Sequence, residues 1–239
     1  MIVLYGGPTP NARKIAIALE EMELPWRLEL IDILAGDQLT PQFRALNPNT
    51  KSPVVIDEDA ASGAEPFVLW ETGAILLYLA EKTGRFVPAG GRESSVCHQW
   101  LMLQVSGVGP MFGQNAHFSF YAKDKHPYAI ERYVNEVARL LRVLEFRLSE
   151  SRFLAGADYT ISDMATYPYV LRQVESRRAE FPALARWSDE VGARPAVQRG
   201  MEVGREALRR ETIGGGLSGL SDEQRSSLFG DRQYGAAGG

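Results

Sequence analysis

Strand-forming sequence is confined to the first part of this chain, and that asymmetry limits the folds open to it. Ile2–Tyr5 is a short apolar run, residues 26–33 read as a returning strand, Val54-Val55-Ile56 is β-branched, and Phe67-Val68-Leu69 is apolar again. Short runs of this kind bounded by turn residues predict strands. Thr9-Pro10 opens a helix between the first two. Threonine suits an N-cap and proline the first helical position, and Ile15, Leu19 and Met22 follow at helical spacing. Residues 41–46 predict a helical turn ending at Asn47-Pro48-Asn49, and Glu71 to Lys82 a helix stopped by Gly84. The order is β-α-β-α-β-β-α. Its βαβ unit requires a parallel pair, and the last two strands, joined by the Asp57–Gly63 turn, form a hairpin.

After Phe86-Val87-Pro88-Ala89-Gly90-Gly91 strand signals almost vanish. Residues 93–122, 127–150, 161–178 and 182–194 each carry helical periodicity. Gly107, Gly109 and Pro110 predict a kink or break in the first of these. Thr160 and Asp163 have the spacing of a capping box. From Gly214 the chain is rich in glycine and serine, the composition of a flexible tail, with wrapping over a neighbouring subunit as the alternative. The expected organisation is an α/β domain over 1–86, an all-α domain over 92–208 and a tail over 209–239.

A chain of 239 residues, 45% hydrophobic, has enough apolar sequence for a sizeable core. Its net charge of -4 argues against nucleic acid or an anionic membrane surface as partner. The arginines that cluster, such as Arg139, Arg142 and Arg147, alternate with apolar residues and read as solvated helix faces. The single cysteine, Cys97, allows neither an intramolecular disulfide nor a Cys-x-x-Cys centre, and reads as structural. His98, His117 and His126 lack metal-ligand spacing, so no metal is expected. The start lacks signal-peptide character and no apolar run has membrane-spanning length, so a cytoplasmic location is expected.

Three separated pieces carry chemistry. Tyr5-Gly6-Gly7-Pro8-Thr9-Pro10-Asn11 places a hydroxyl and an amide at a helix start. The partial positive charge and unpaired N–H groups there favour a thiolate, and a donor to sulfur lowers the thiol pKa further. Thr9 also reads as a simple cap, and the two roles are compatible, because a hydroxyl accepts one bond while donating its proton. Asn47-Pro48-Asn49-Thr50-Lys51-Ser52-Pro53-Val54 opens a strand with proline. A cis Ser52–Pro53 bond would turn the Ser52 backbone from the ladder toward a peptide-like ligand, with Lys51 near that ligand's carboxylate; otherwise this is an ordinary junction. Trp70-Glu71-Thr72-Gly73-Ala74 sets a hydroxyl and backbone amides for an α-carboxylate, and a carboxylate for an α-ammonium, unless it only caps its helix. Together the pieces suit one tripeptide with an amino-acid head, a central thiol and a carboxylate tail.

These motifs resemble the glutathione transferase superfamily over residues 1–205. Asn-Pro-x-x-Lys-x-Pro at 47–53, the Glu71-Thr72 segment and Thr160-Ile161-Ser162-Asp163-Met164-Ala165 match its signatures. Within it, Pro8-Thr9-Pro10-Asn11, Gln99–Met102, Gly109–Phe118 and Glu131-Arg132-Tyr133 look like the bacterial nu class. The resemblance implies a thioredoxin-like N-terminal domain, an all-helical C-terminal domain and a homodimer. It implies glutathione as co-substrate, as one or two molecules or glutathione disulfide per subunit, and disulfide reductase or transferase activity. By position, it sets Thr9 and Asn11 at the sulfur, Gln38 and Lys51 at the glycyl carboxylate, the Ser52 backbone at the cysteinyl unit, Glu71 and Thr72 at the γ-glutamyl head, and Arg132 in the cleft near the dimer interface. Ser52 departs from the usual isoleucine or valine, and Thr72 from the commoner serine; Tyr5 is a minor candidate. With no cysteine in these pieces, redox chemistry would run through glutathione thiols. The thiolate would attack a disulfide, or a carbon electrophile in aryl ether cleavage or xenobiotic conjugation against Met111, Phe112, Phe118 and Tyr121. A glutathione-binding regulatory protein with little catalysis is the rival of another class.

Overall fold

In a computed structural model the chain is described over residues 1–60, 65–205 and 220–237. Strands β1 (Ile2–Gly6), β2 (Trp26–Leu30), β3 (Val54–Asp57) and β4 (Phe67–Trp70) form one sheet in the order β2-β1-β3-β4. β1 and β2 are parallel, as the crossover through α1 (Pro10–Glu21) requires, while β3 runs antiparallel to both β1 and β4. Helices α2 (Pro41–Leu46) and α3 (Thr72–Thr83) complete this half, and Gly84 ends α3 in the left-handed conformation. β2 stops at Leu30, short of the predicted 33, because the chain there turns into a loop on which Asp32 accepts from the Leu34 and Ala35 N–H groups.

The second half is helical. The stretch predicted as one kinked helix over 93–122 is divided into α4 (Gly91–Leu103), a π-helical turn at Gln104–Val108, α5 (Gly109–Ala116) and a second π-helical turn at His117–Tyr121. Pro110 lies in the first turn of α5, where its missing N–H costs least. Then follow α6 (Pro127–Glu150), α7 (Ile161–Ser176), α8 (Pro182–Gly192) and α9 (Pro195–Met201). The Thr160–Asp163 capping box starts α7, and buried Asp163 also accepts from the Leu154 N–H and Trp187 Nε1–H at 3.0 and 2.8 Å.

Helix α1 is the wall between the halves. Ala12 and every residue from 14 to 19 are buried, so this helix is enclosed nearly all round, with the sheet and α3 on one side and α7 and α9 on the other. α9 approaches so closely that a Cβ on Gly200 would lie 2.6 Å from Ile17 Cα. Arg194 clamps the same join, reaching both carboxylate oxygens of Glu21 at 2.5 and 2.8 Å.

The predicted flexible tail carries two short helices, α10 (Asp222–Phe229) and α11 (Asp231–Ala237), and they fold back on their own chain. Ser221 and Gln224 form a capping box, a local signal inside a glycine- and serine-rich stretch that composition alone hides. The Gly214 end of that tail lies outside the described residues.

Candidate active site

The chain turns from β1 into α1 through Gly6 and Gly7, and a Cβ on Gly7 would come within 2.9 Å of the Ile31 carbonyl oxygen. Thr9 is the N-cap of α1, extended in backbone, its Oγ1 accepting from the Ala12 N–H at 3.2 Å. That bond uses the oxygen and leaves the hydroxyl proton as a donor. Two residues on, Asn11 Oδ1 accepts from the Tyr169 hydroxyl of α7 at 2.9 Å. The opposite face of that amide, its N–H pair, is then the donor face. Both donors stand in the first helical turn, where the helix dipole favours negative charge.

At the start of α3, Glu71 holds a positive φ (φ 70, ψ 112). For a residue with a side chain this costs on the order of 1–3 kcal/mol and persists where the surroundings impose it. Thr72 is buried, and its Oγ1 accepts from Lys14 Nζ at 3.3 Å. Lys14, only 2% exposed, donates also to Gln104 Oε1 at 2.7 Å and lies 4.8 Å from the centre of the Tyr169 ring. Burial brings its amine down to about 7, against the attraction of Glu71. A partly buried line thus runs from Asn11 through Tyr169 and Lys14 to Thr72.

The Ser52–Pro53 bond is cis. β3 begins at Val54, in register with Tyr5, so Ser52 stands outside the ladder, and its hydroxyl donates to the Tyr5 carbonyl at 3.5 Å. Asn47 Nδ2 holds the Lys51 carbonyl at 2.7 Å. Lys51 and Gln38 both meet the C-terminal helices. Gln38 Nε2 donates to the Ile33 and Ser227 carbonyls at 3.3 and 3.2 Å, and its Oε1 is buried without a partner among the described residues. Gln233, with its amide turned to satisfy both neighbours, accepts from Lys51 Nζ and donates to the Leu228 carbonyl at 2.5 Å. Partial burial lowers the Lys51 amine, although much of its stem remains in solvent.

The same two helices reach the other half. Phe229 stacks on Tyr121 at 5.6 Å and meets His117 edge-on at 4.5 Å, while Arg225 donates to the Tyr121 carbonyl. A cleft of about 310 Å³ lies here, with Phe118, Tyr121, Arg225 and Phe229 among its walls. Phe118 and Tyr121 line this cleft, whereas Phe112 is buried in the core and Met111 packs against it. Among the described residues no hydrogen bond or ion pair joins Arg132 to the other predicted residues. It lies exposed on α6, paired with Glu136 at 3.6 Å. Tyr5 is half-buried in β1. Among the described residues no cluster of three or more His, Cys, Asp or Glu side chains could hold a metal ion.

Residues 9–82 match the family described as "Glutathione S-transferase, N-terminal domain", and residues 110–195 match "Glutathione S-transferase, C-terminal domain". The chain belongs to the glutathione S-transferase family. Escherichia coli "Disulfide-bond oxidoreductase YfcG" is 47% identical to it over 199 residues, covering 82% of this chain and 93% of that one. A solved glutathione transferase family member from Pseudomonas fluorescens, with two glutathione bound, superposes with a TM-score of 0.80 at 39% identity, covering 84% of this chain and 92% of that one. A Pseudomonas putida glutathione transferase with one glutathione disulfide per subunit gives 0.79 at 38% identity, covering 84% and 90%.

Against this glutathione S-transferase framework, sequence reasoning missed three parts of the site. Lys14 passed as one charged position on an apolar helix, and Tyr169 as one aromatic among many. Their meeting with Asn11 and Thr72 joins positions more than fifty residues apart and left no local signal. The C-terminal helices were concealed by their composition, though Ser221-Asp222-Glu223-Gln224 is a legible helix start.

Proposed function

We propose that this transferase is a glutathione-dependent disulfide reductase in which Thr9 and Asn11 hold glutathione as its thiolate. The observation that carries the reading is the pair of donors in the first turn of α1, the hydroxyl of Thr9 and the amide of Asn11 turned by Tyr169. The names of the similar proteins support it. Lys51 and Gln38 would take the glycyl carboxylate, the Ser52 backbone the cysteinyl unit, and Glu71 with Thr72 the γ-glutamyl head. Arg132 would add charge to the cleft from a partner subunit in a homodimer, since its own chain leaves it exposed. The reaction is cytoplasmic in this reading, consistent with the fact that no helix among the described residues is long and apolar enough to cross a membrane.

The chain's one cysteine, Cys97, is buried, and burial pushes its thiol pKa up, so it offers no thiolate. The nucleophile is therefore the glutathione sulfur. Its lone pair attacks one sulfur of the substrate disulfide, that S–S bond breaks, and the other sulfur leaves as thiolate and takes a proton. A second glutathione thiolate attacks the mixed disulfide, forming glutathione disulfide and releasing the remaining substrate thiol. Substrate is reduced by two electrons and two glutathiones are oxidised, so the balance closes. Reduction of 2-hydroxyethyl disulfide, coupled to NADPH through glutathione reductase, tests this. Thr9→Ala/Asn11→Ala should lose on the order of 10²-fold or more in kcat/KM. Unchanged turnover and thiol pKa in that variant would remove both residues from the role. The aromatic cleft at Phe118, Tyr121 and Phe229 favours, as second reading, attack on a carbon electrophile. Glutathione binding without any disulfide turnover would select it.

A further inference from the structure

The wall of helix α7 facing α1 contains a phenol that takes part in no bond-making step of the mechanism above. Tyr169 belongs to the helical half, yet its hydroxyl reaches Asn11 Oδ1 at 2.9 Å, and its ring lies 4.8 Å from the amine of Lys14. We infer that Tyr169 is a positioning residue for the reaction: by donating to Asn11 Oδ1 it fixes the orientation of the Asn11 amide, so that the N–H pair is the face presented to the glutathione sulfur.

The argument is one of donor and acceptor inventory. An asparagine amide has an acceptor end and a donor end of nearly equal size, and rotation by half a turn exchanges them. With the acceptor end toward sulfur, Asn11 would repel a thiolate; with the donor end there, it stabilises one. A neutral phenol can donate or accept, and here the Tyr169 hydroxyl donates to the acceptor end, which leaves the N–H pair on the other side. Burial pushes the Tyr169 pKa up to about 12, so the phenol keeps the proton it donates throughout the range in which the glutathione thiol ionises. The groups around this contact are accounted for: Lys14 from α1 faces the Tyr169 ring and Glu71 faces Lys14, while Gln104 and Thr72 are neutral acceptors of the lysine. Lys14 bonds to the neighbouring half through Gln104 and keeps the Tyr169 ring in place from beneath. It also occupies the Thr72 oxygen, so that the Thr72 proton remains for a carboxylate.

This inference rests on the placing of Asn11 at the sulfur, and the test separates the two. Tyr169→Phe removes one oxygen and keeps the ring beside Lys14. The pH profile of kcat/KM and the ultraviolet absorbance of bound thiolate should shift to higher pH, with roughly tenfold loss of kcat/KM on the acid side, while KM for glutathione stays within about twofold. In an Asn11→Ala background the same change should have no further effect, because Tyr169 acts only through that amide. An unmoved profile in Tyr169→Phe, or an equal loss in both backgrounds, overturns the inference and leaves Asn11 in place. A silent Asn11→Ala overturns the reading beneath it. Should Tyr169→Phe fail to fold, replacement of Tyr169 by 3-fluorotyrosine, a more acidic phenol and stronger donor, should move the profile to lower pH; no movement would be equally fatal.

Discussion

At the scale of single residues, Lys14 is a lysine enclosed by the fold. Its amine has an ordinary value of 10.5, and burial inside the fold lowers it to about 7. Between those two values the unfolded chain holds a proton that the folded chain does not. Stability therefore rises with pH across that window and is flat below it, the reverse of the common case in which a lysine gains a partner. Urea unfolding midpoints should increase from pH 7 to about pH 9.5, and Lys14→Met should flatten that increase. Legibility at this scale followed locality. Thr9, Glu71, Thr72 and the Thr160–Asp163 box were readable because capping is written in adjacent residues. Lys14 and Tyr169 were not, since their meaning depends on which face of α1 turns toward α7. Arg132 was legible only by resemblance, and the ion pair it makes is with Glu136 of its own helix.

Among the elements, the C-terminal pair α10 and α11 has the clearest functional consequence. Ser227 offers a carbonyl to Gln38, and Gln233 an amide oxygen to Lys51. These are the two side chains that the resemblance sets at the glycyl carboxylate. Two acceptors of the tail thus stand on donors that a carboxylate would use. Deleting residues 220–239 should lower the Kd for glutathione by a few-fold to about tenfold, the worth of one or two net hydrogen bonds. Titration calorimetry on the shortened chain measures this directly, and a weaker affinity would show that the helices support the ligand instead of competing with it. The strands and long helices of the fold were legible from periodicity to within a few residues. The π-helical turns were legible only as a break at Gly107–Pro110, because glycine and proline announce that a regular helix fails without saying what replaces it.

At the scale of the whole molecule, the two halves are held as one body by α1. The Arg194–Glu21 pair and the close passage of Gly200 over Ile17 leave little room for independent motion. Gly200→Ala would set a methyl group against backbone, which cannot move aside as a side chain tip can. The cost should lie at the upper end of the about 1–3 kcal/mol of overpacking, read as a lower midpoint of thermal or urea unfolding. Because the core is continuous, fluorescence and far-ultraviolet circular dichroism should report one coincident transition in parent and variant alike. Tyr169 adds a last consequence. It comes from the helical half, the one proposed to shape the second-substrate cleft, yet it touches Asn11, the residue proposed at the sulfur, in the other half. Recombination that exchanges helical halves between relatives would thus carry over more than a new substrate range. It would also transplant a setting of thiol acidity, so chimeras should inherit part of their reactivity from the parent that supplied the cleft.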